Sequence, residues 1–414
     1  MQDAPPDEIR LKYLQGDPSM LDNRTARYTM FGLLYFAQGA ILSYFTALNA
    51  LYLLSYDLTM SQVGIFSAVA LTPFVLKILL GMLSDNVNLL GQGHRKPYII
   101  IGLLTQAGCL VLVPFINPGD SFGLLTFVAF VLMTGMALYD TCTDGLALDT
   151  TPPEDEGTVQ GIMVGGRALG VVVISTALGL LAQLTNWTVA FWSLAAVTLL
   201  PLVLVVRVRE PARPPERSFD WRAFRAFGRK RVIALALLGA LYSLIINGTN
   251  EIVNPFFEDR FGIDYLMAGL YTAVWGLGVV LGGVTGGRLT DRLGHGKAAT
   301  GALVMTLAAV LALALVVNPA MAWPLVFAFG LAFGFYETVY FATSMEMTDP
   351  RIAASMFAIL MAVANIGIGV GFAVTGQLVD AIGYRWTFVG LGLLNLLALP
   401  LLPLIFRGDG EQVE

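Results

Sequence analysis

Six ionisable side chains stand where few are tolerated. Lys77, Asp140, Asp144, Arg167, Glu251 and Glu337 each fall inside a long apolar run. A charge held in hydrocarbon is costly unless it is paired or faces water, so such groups mark solute paths and proton relays. Asp140 and Asp144 are four residues apart, which sets them on one helical face. Both ionised, they repel unless a cation intervenes, and Lys77 and Arg167 are the cations at that depth. Two readings stand open: a neutralised structural cluster, or a site where one carboxylate takes up a proton as a solute binds. Counting about 1.5 Å per residue from the inner helix ends places Lys77, Asp140, Arg167 and Glu337 about 12 to 14 Å deep, and Asp144 about 7 to 8 Å deep.

Neutral polar groups accompany these charges. Glu251 belongs to a polar patch with Asn247, Asn250 and Asn254, flanked by Gly248 and Pro255, which invite a bend. The patch reads as a bent gate helix with a solute-facing side, or else as a buried hydrogen-bonded kink. Tyr35, Gln38 and Asn49 share one helical stripe and offer neutral hydrogen bonds, although Tyr and Gln in such a run are as often packing residues. Tyr139 and Tyr336 sit beside Asp140 and Glu337.

A second set of charges lies where apolar runs end. Asp85, Arg95, Asp149, Asp291, Arg292 and Glu346 are placed to form charge clusters that hold the inner side shut in one state and break in another. The plainer reading has these acids capping helices and fixing topology. His94 and His295, the two histidines, lie in the same loops and read as solvated residues.

The elements that must position these groups are long helices. The chain is 56% hydrophobic and 13% charged, against roughly 25% charged in soluble domains. Twelve apolar stretches reach the roughly 20 residues needed to cross a bilayer. They run 29–54, 61–83, 97–116, 122–148, 158–184 and 187–206, then 232–256, 264–289, 297–317, 322–347, 352–380 and 385–406. The expected units are a tail at 1–28, a six-helix bundle at 29–206, a linker at 207–231, a second bundle at 232–406 and a tail at 407–414.

Lys and Arg concentrate in the segments that share a side with both termini, whereas the other loops hold Arg260 and Arg385. The positive-inside rule therefore sets both termini in the cytoplasm, and the short loops suit a bacterial inner membrane. Residues 1–27 are polar and show no cleavable signal. In the Pro-rich linker, Phe219, Phe224 and Phe227 with Arg222 and Arg225 suggest a basic amphipathic helix on the inner membrane face, or a plain hinge. Cys109 and Cys142 read as small apolar fillers. The net charge of −5 decides nothing.

The chain repeats itself. Gly81-Met-Leu-Ser-Asp85 returns as Gly287-Arg-Leu-Thr-Asp291, Leu138-Tyr-Asp140 as Phe335-Tyr-Glu337, and Asp149 and Pro153 as Glu346 and Pro350. Two copies of one six-helix unit explain the pattern. Glycines recur at four-residue spacing in span five (Gly161, Gly165, Gly166, Gly170), span eight (Gly278, Gly282, Gly283, Gly287) and span eleven (Gly367, Gly371), a smooth surface that serves either close rigid helix packing or a seam between moving halves.

The string Gly81-x-Leu83-x-Asp85 with Arg95-Lys96-Pro97, and Gly287-x-Leu289-x-Asp291-Arg292-x-Gly294, resembles the paired loop motif of the major facilitator superfamily. The longer first copy, with Gly93-His94-Arg95-Lys96-Pro97-Tyr98, is similar to the folate/biopterin transporters. Asp140-x-x-x-Asp144-Gly145-x-x-x-Asp149, Glu156-Gly157 and Arg167-x-x-Gly170 resemble that group and the muropeptide permeases. The resemblance implies an all-α membrane protein with twelve transmembrane helices in two pseudo-symmetric bundles, the major facilitator fold. It implies that spans one, four, seven and ten line the cavity, near Asp140, Asp144, Glu251 and Glu337, with Lys77 and Arg167 nearer the seam.

The sequence carries no Walker loop, paired His/Glu zinc motif or Gly-x-Ser-x-Gly elbow, so no enzyme, metal or cofactor is expected. The expectation is an alternating-access carrier, a proton-linked symporter for a polar or anionic organic solute. Lys77 and Arg167 would attract negative charge and an acid would handle the proton. An exporter, or a non-transporting assembly factor on the same fold, is the alternative. The expected partners are the solute, a proton and the bilayer, with no nucleic acid, and the chain is expected to be a monomer.

Overall fold

A computed structural model describes residues 20–91, 93–152, 155–210, 228–347 and 353–406. The expected linker helix around Phe219 to Phe227 and both terminal tails lie outside them. The described residues form twelve membrane spans. These are α1 (Arg24–Ala47, continued by Asn49–Leu54), α2 (Met60–Val75, continued by Lys77–Asn86), α3 (Lys96–Leu112), α4 (Phe122–Thr150), α5 (Glu156–Leu184) and α6 (Trp187–Leu199). The second half gives α7 (Lys230–Phe261), α8 (Tyr265–Leu293), α9 (His295–Ala314), α10 (Pro319–Glu346), α11 (353–382) and α12 (from 384, ending with Leu401–Phe406). The boundary between α11 and α12 is Gly383, whose φ of 77° interrupts the helix where a side chain would be strained.

Starts are written in the local sequence. Asn23 accepts from the Ala26 N–H, so α1 begins earlier than hydropathy alone indicates. Thr59 and Gln62 form a reciprocal capping box at α2. Asn186, Asp264 and Asn318 cap α6, α8 and α10. An even number of spans returns the chain to its starting side, here called the terminal face; the other is the far face.

Within each half, α1 packs on α5 and α3 on α4, as α7 packs on α11 and α8 on α10. The halves meet along α2 with α11 and α5 with α8. Glycine governs how close they come. A Cβ on Gly39 would lie 2.1 Å from the Arg167 carbonyl oxygen, and one on Gly334 would lie 2.0 Å from that of Val279. Of the two uses open to the glycine rows, close packing within a half takes most of them. Gly166 and Gly170 meet α1, Gly278 and Gly282 meet α10, and Gly367 and Gly371 meet α7. The seam uses other glycines: Gly64 and Gly376 between α2 and α11, and Gly179 and Gly269 between α5 and α8. Sequence spacing gives a small-residue stripe but not the helix that it faces.

Candidate functional site: a charged cluster at mid-depth

The hydrogen bonds between halves, among the described residues, lie at mid-depth or toward the far face. At the far end the Asp380 carboxylate of α11 accepts from the Met60 and Ser61 N–H groups at 3.1 and 2.7 Å, capping α2 from the opposite half. Gln183 donates to Asp264 at 2.8 Å and accepts from the Leu266 N–H at 3.1 Å. Deeper in, Asn254 donates to the Ala47 carbonyl at 2.9 Å and Asn365 to the Phe74 carbonyl at 3.1 Å. Both acceptors adjoin irregular turns, at Leu48 (φ −126°, ψ −20°) and at Leu76 (φ −86°, ψ 4°). Nearer the terminal face no hydrogen bond joins described residues of the two halves, and Leu76, Leu79, Leu83 and Leu148 are exposed. Among the described residues, the hydrogen bonds that tie the halves are confined to mid-depth and the far face.

The charged cluster sits at mid-depth, on the terminal side of those bonds. Lys77 begins the second segment of α2, one turn after Pro73, which removes a backbone donor. Its ammonium bonds the Asp140 carboxylate and lies 3.6 Å from that of Asp144. Gln38 Nε2 donates to Asp140 at 2.6 Å, and the Tyr35 hydroxyl donates to Asp144. One cation thus bridges the acid pair, and two residues of the polar stripe on α1 fill its remaining acceptors. The pair is unequal. Asp140 has a side-chain exposure of 6%, while Asp144 has 42%.

Arg167 makes no hydrogen bond or ion pair with another described residue, and it is half-buried. Its charge acts on Tyr35 in its own half and on Glu337 of α10 in the other. Two carboxylates, one ammonium and this guanidinium would balance.

Glu251 lies elsewhere. It is 7% exposed and accepts from the Ser67 hydroxyl of α2 at 2.6 Å, while that hydroxyl accepts from Asn49 of α1 at 3.2 Å. This chain crosses the seam, so Glu251 and Asn49 belong to the far-side seal. The helix around them runs unbroken from Lys230 to Phe261, through Pro255. Asn247 turns to its own helix, bonding the Ser243 carbonyl at 3.0 Å, and Asn250 lines a cleft between the halves. Tyr139 and Tyr336 are packed at 1% and 2% exposure, Tyr336 against the ring of Tyr242.

At the terminal face the two copies differ. Arg95 reaches Asp85 at 2.7 Å, Ser84 at 2.6 Å and Asp149 at 3.6 Å, tying α2 to α4. In the second copy Asp291 and Arg292 are exposed, without an ion pair to a described residue, and Glu346 pairs with His295. Among the described residues, the first cluster joins helices of one half.

Three groups were absent from the sequence reading. Glu210, just after α6, accepts from the His94 and Arg95 N–H groups at 2.7 and 2.8 Å and from that of Lys96, satisfying the start of α3. Asp155 pairs with Arg24 and Arg27, tying the start of α1 to that of α5. Its hydrogen bond from Arg24 holds the carboxyl down at about 2. Asp380 is the third. A Pro after Glu210 and the position of Asp155 just before a span hint at caps, but nothing local names their partners. No cluster of three or more metal-ligating side chains exists among the described residues.

The family model of the Major Facilitator Superfamily matches residues 30–363. The chain belongs to that superfamily. It is therefore an integral membrane transporter and not an enzyme. Both groups whose motifs its fourth span resembles occur among its relatives. The anhydromuropeptide permease of Escherichia coli (strain K12) is 24% identical over 85% of this chain and 74% of that protein. The folate-biopterin transporter of Synechocystis sp. is 24% identical over 91% and 81%. AmpG 1 of Rickettsia typhi is 27% identical over 156 residues, a match spanning 37% of this chain and about a third, 35%, of that one. Solved structures share the fold. The nucleoside transporter NupG superposes with a TM-score of 0.74 at 14% identity, over 92% of this chain and 98% of that one. A bacterial homologue of the human lysosomal transporter Spinster, inward-facing and unoccupied, gives 0.72 at 19% identity, over 98% of each.

Proposed function

We propose that this transporter moves a polar or anionic organic solute across a bacterial inner membrane by alternating access, in symport with protons. The observation that carries the reading is the shared ammonium: Lys77 holds two carboxylates, and one of them, Asp144, is far more exposed than the other. An anionic group entering there competes with Asp144 for Lys77 and is drawn by Arg167. A carboxylate that loses its cation in a poorly hydrated site takes up a proton, so solute and proton arrive together. Glu337, across the path from Arg167, is the second acid able to share that proton. The relatives, an anhydromuropeptide permease and a folate-biopterin transporter, support an organic solute.

Lys and Arg crowd the terminal face, so by the positive-inside rule that face is cytoplasmic and the present state is open inward. The clusters at Arg95 and at His295 with Glu346 would then exchange partners across the seam when the inner side closes. The units 29–206 and 232–406 are the two rocking bodies.

Reconstituted vesicles test this. A pH gradient, acid outside, should drive uptake of a matching solute. Asp144→Asn should abolish the pH dependence while leaving exchange, and Arg167→Gln should weaken solute binding at least tenfold. Flux indifferent to pH in the parent protein refutes symport, and a tight protein partner without flux of any tested solute favours an assembly role.

A further inference from the structure

The two seams between the halves are built alike at the far face. At one, a Cβ on Gly376 of α11 would lie 2.1 Å from the Met60 carbonyl oxygen, and one on Gly64 of α2 would lie 2.2 Å from that of Phe372. At the other, a Cβ on Gly179 of α5 would lie 2.3 Å from the Tyr265 carbonyl oxygen, and one on Gly269 of α8 would lie 2.3 Å from that of Ser175. Met60 and Tyr265 are the first residues of α2 and α8, and the spacings agree throughout. Gly64 and Gly269 follow them by four residues, as Gly376 and Gly179 follow Phe372 and Ser175. Backbone meets backbone at both seams, and one turn farther along the same position holds Asp380 on α11 and Gln183 on α5.

These two residues make similar contacts with different charge. The first N–H groups of a helix have no acceptor within it. At α2, Thr59 accepts from the Gln62 N–H, and the Asp380 carboxylate accepts from those of Met60 and Ser61 across the seam. At α8, Asp264 of the same half accepts from the Met267 N–H, while Gln183 reaches across the seam to accept from that of Leu266 and to donate to Asp264. An anion thus crosses the α2–α11 seam to face the positive end of a helix, and a neutral amide crosses the other.

Asp380 is exposed, so protons reach it from the water of the far side. Its titratable neighbours are Tyr384 at the start of α12 and Glu258 and Asp259 at the end of α7, whose charges act on the same ring. Asp57, in the turn before α2, is acidic and exposed, and the first turn of α2 from Met60 to Val63 carries no titratable side chain. Of the basic residues on this side, Arg385 bonds the Val316 carbonyl at 3.1 Å, and neither it nor Arg260 forms an ion pair with Asp380. Among the described residues, the ionised Asp380 is therefore held by the α2 N–H groups, with other acids around it. Those N–H groups bond a carboxylate more strongly than a carboxylic acid, so closure of the seam favours the ionised form, and by linkage a proton on Asp380 favours its parting.

We propose that Asp380 is a titratable latch: ionised, it holds α2 to α11 and the far face closed, and a proton taken from the far side releases it, while the matching Gln183 contact is indifferent to pH. The inference rests on the carrier reading and deepens it. Acid on the far side returns the empty carrier to the state that faces that side, in addition to any proton that moves with the solute. Asp380 is a positioning residue, acting on the balance between states.

Spin labels at Phe115 and Val317, exposed beyond the far ends of α3 and α9, measure the opening in the full chain in lipid nanodiscs, with Cys109 and Cys142 replaced by Ser. Asp380→Asn should raise the long-distance population about fivefold at pH 7.5, whereas Asp380→Glu, which keeps the charge, should stay near the parent. Lowering the pH from 7.5 to 4 should raise the same population in the parent, and Asp380→Asn should lose that part of the response. Gln183→Ala should also raise it but respond to pH as the parent does. If Asp380→Asn matches the parent in distances and pH response while Gln183→Ala shifts, the latch is overturned and the carrier reading stands. A shift in Asp380→Asn that Asp380→Glu shares reports lost shape and not lost charge, and it too overturns the latch. One fixed distance in every variant at both pH values overturns the latch and alternating access together.

Discussion

Replacing Lys77 by Ala strands the Asp140 carboxylate, which is 5% exposed, with only the Gln38 amide beside it. Removing one partner of a fully buried ion pair costs about 3–5 kcal/mol. The Lys77 side chain is 31% exposed, so water screens part of the pairing and the expected loss falls to about 2–3 kcal/mol. Asp140→Asn strands Lys77 less severely, because Asp144 remains 3.6 Å away, and should cost about 1 kcal/mol. With both replaced no charge is left unpaired between them, so the double variant should be more stable than the two losses predict, by about 1–2 kcal/mol. Unfolding in mixed SDS micelles, followed by tryptophan fluorescence, measures all four corners of the cycle. Strict additivity would refute the claim that this pair organises the cluster.

Other outcomes follow from the same contacts. Gly39→Ala should destabilise by about 3 kcal/mol or more, since its Cβ would meet backbone at 2.1 Å, whereas Gly108→Ala, with open space around it, should stay within about 0.5 kcal/mol; thermal unfolding separates them. Glu210→Gln weakens three backbone hydrogen bonds at the start of α3 and should cost about 1–2 kcal/mol, read as faster hydrogen exchange at residues 94–96. Asp155 sits at about 2, below its unfolded value near 3.9, so its contribution is complete above about pH 4 and is lost as pH falls toward 2. The stability of Asp155→Asn should lack that acid limb.

Depth along a helix is legible in sequence; direction around it is not. Run length alone located the twelve spans, and a rise of about 1.5 Å per residue placed Lys77 level with Asp140. Four-residue spacing put Asp140 and Asp144 on one face, and the stripe of Tyr35, Gln38 and Asn49 turned out to face polar partners, the first two at the acid pair and the third at Ser67. Glu251 shows the limit. Its polar neighbours suggested an open path, but its partner, Ser67, is 184 residues away in the other half, and only packing reveals that the pair lies in a seal. Repeat logic misleads in the same way at Arg292. Its motif matches the first copy, yet His295 takes Glu346, because local geometry and not motif identity selects the partner. Caps supplied from afar, such as Asp380 on α2, leave no local trace at all.

Alternating access is tested most directly by electron–electron distance measurements between spin labels at Leu148 on α4 and Met345 on α10, both exposed near the terminal face. Two distance populations are expected in lipid, a longer one for an inward-open state and a shorter one for a closed inner side, with a balance that shifts when solute is bound or pH is lowered. A single distance, unmoved by either, would contradict it.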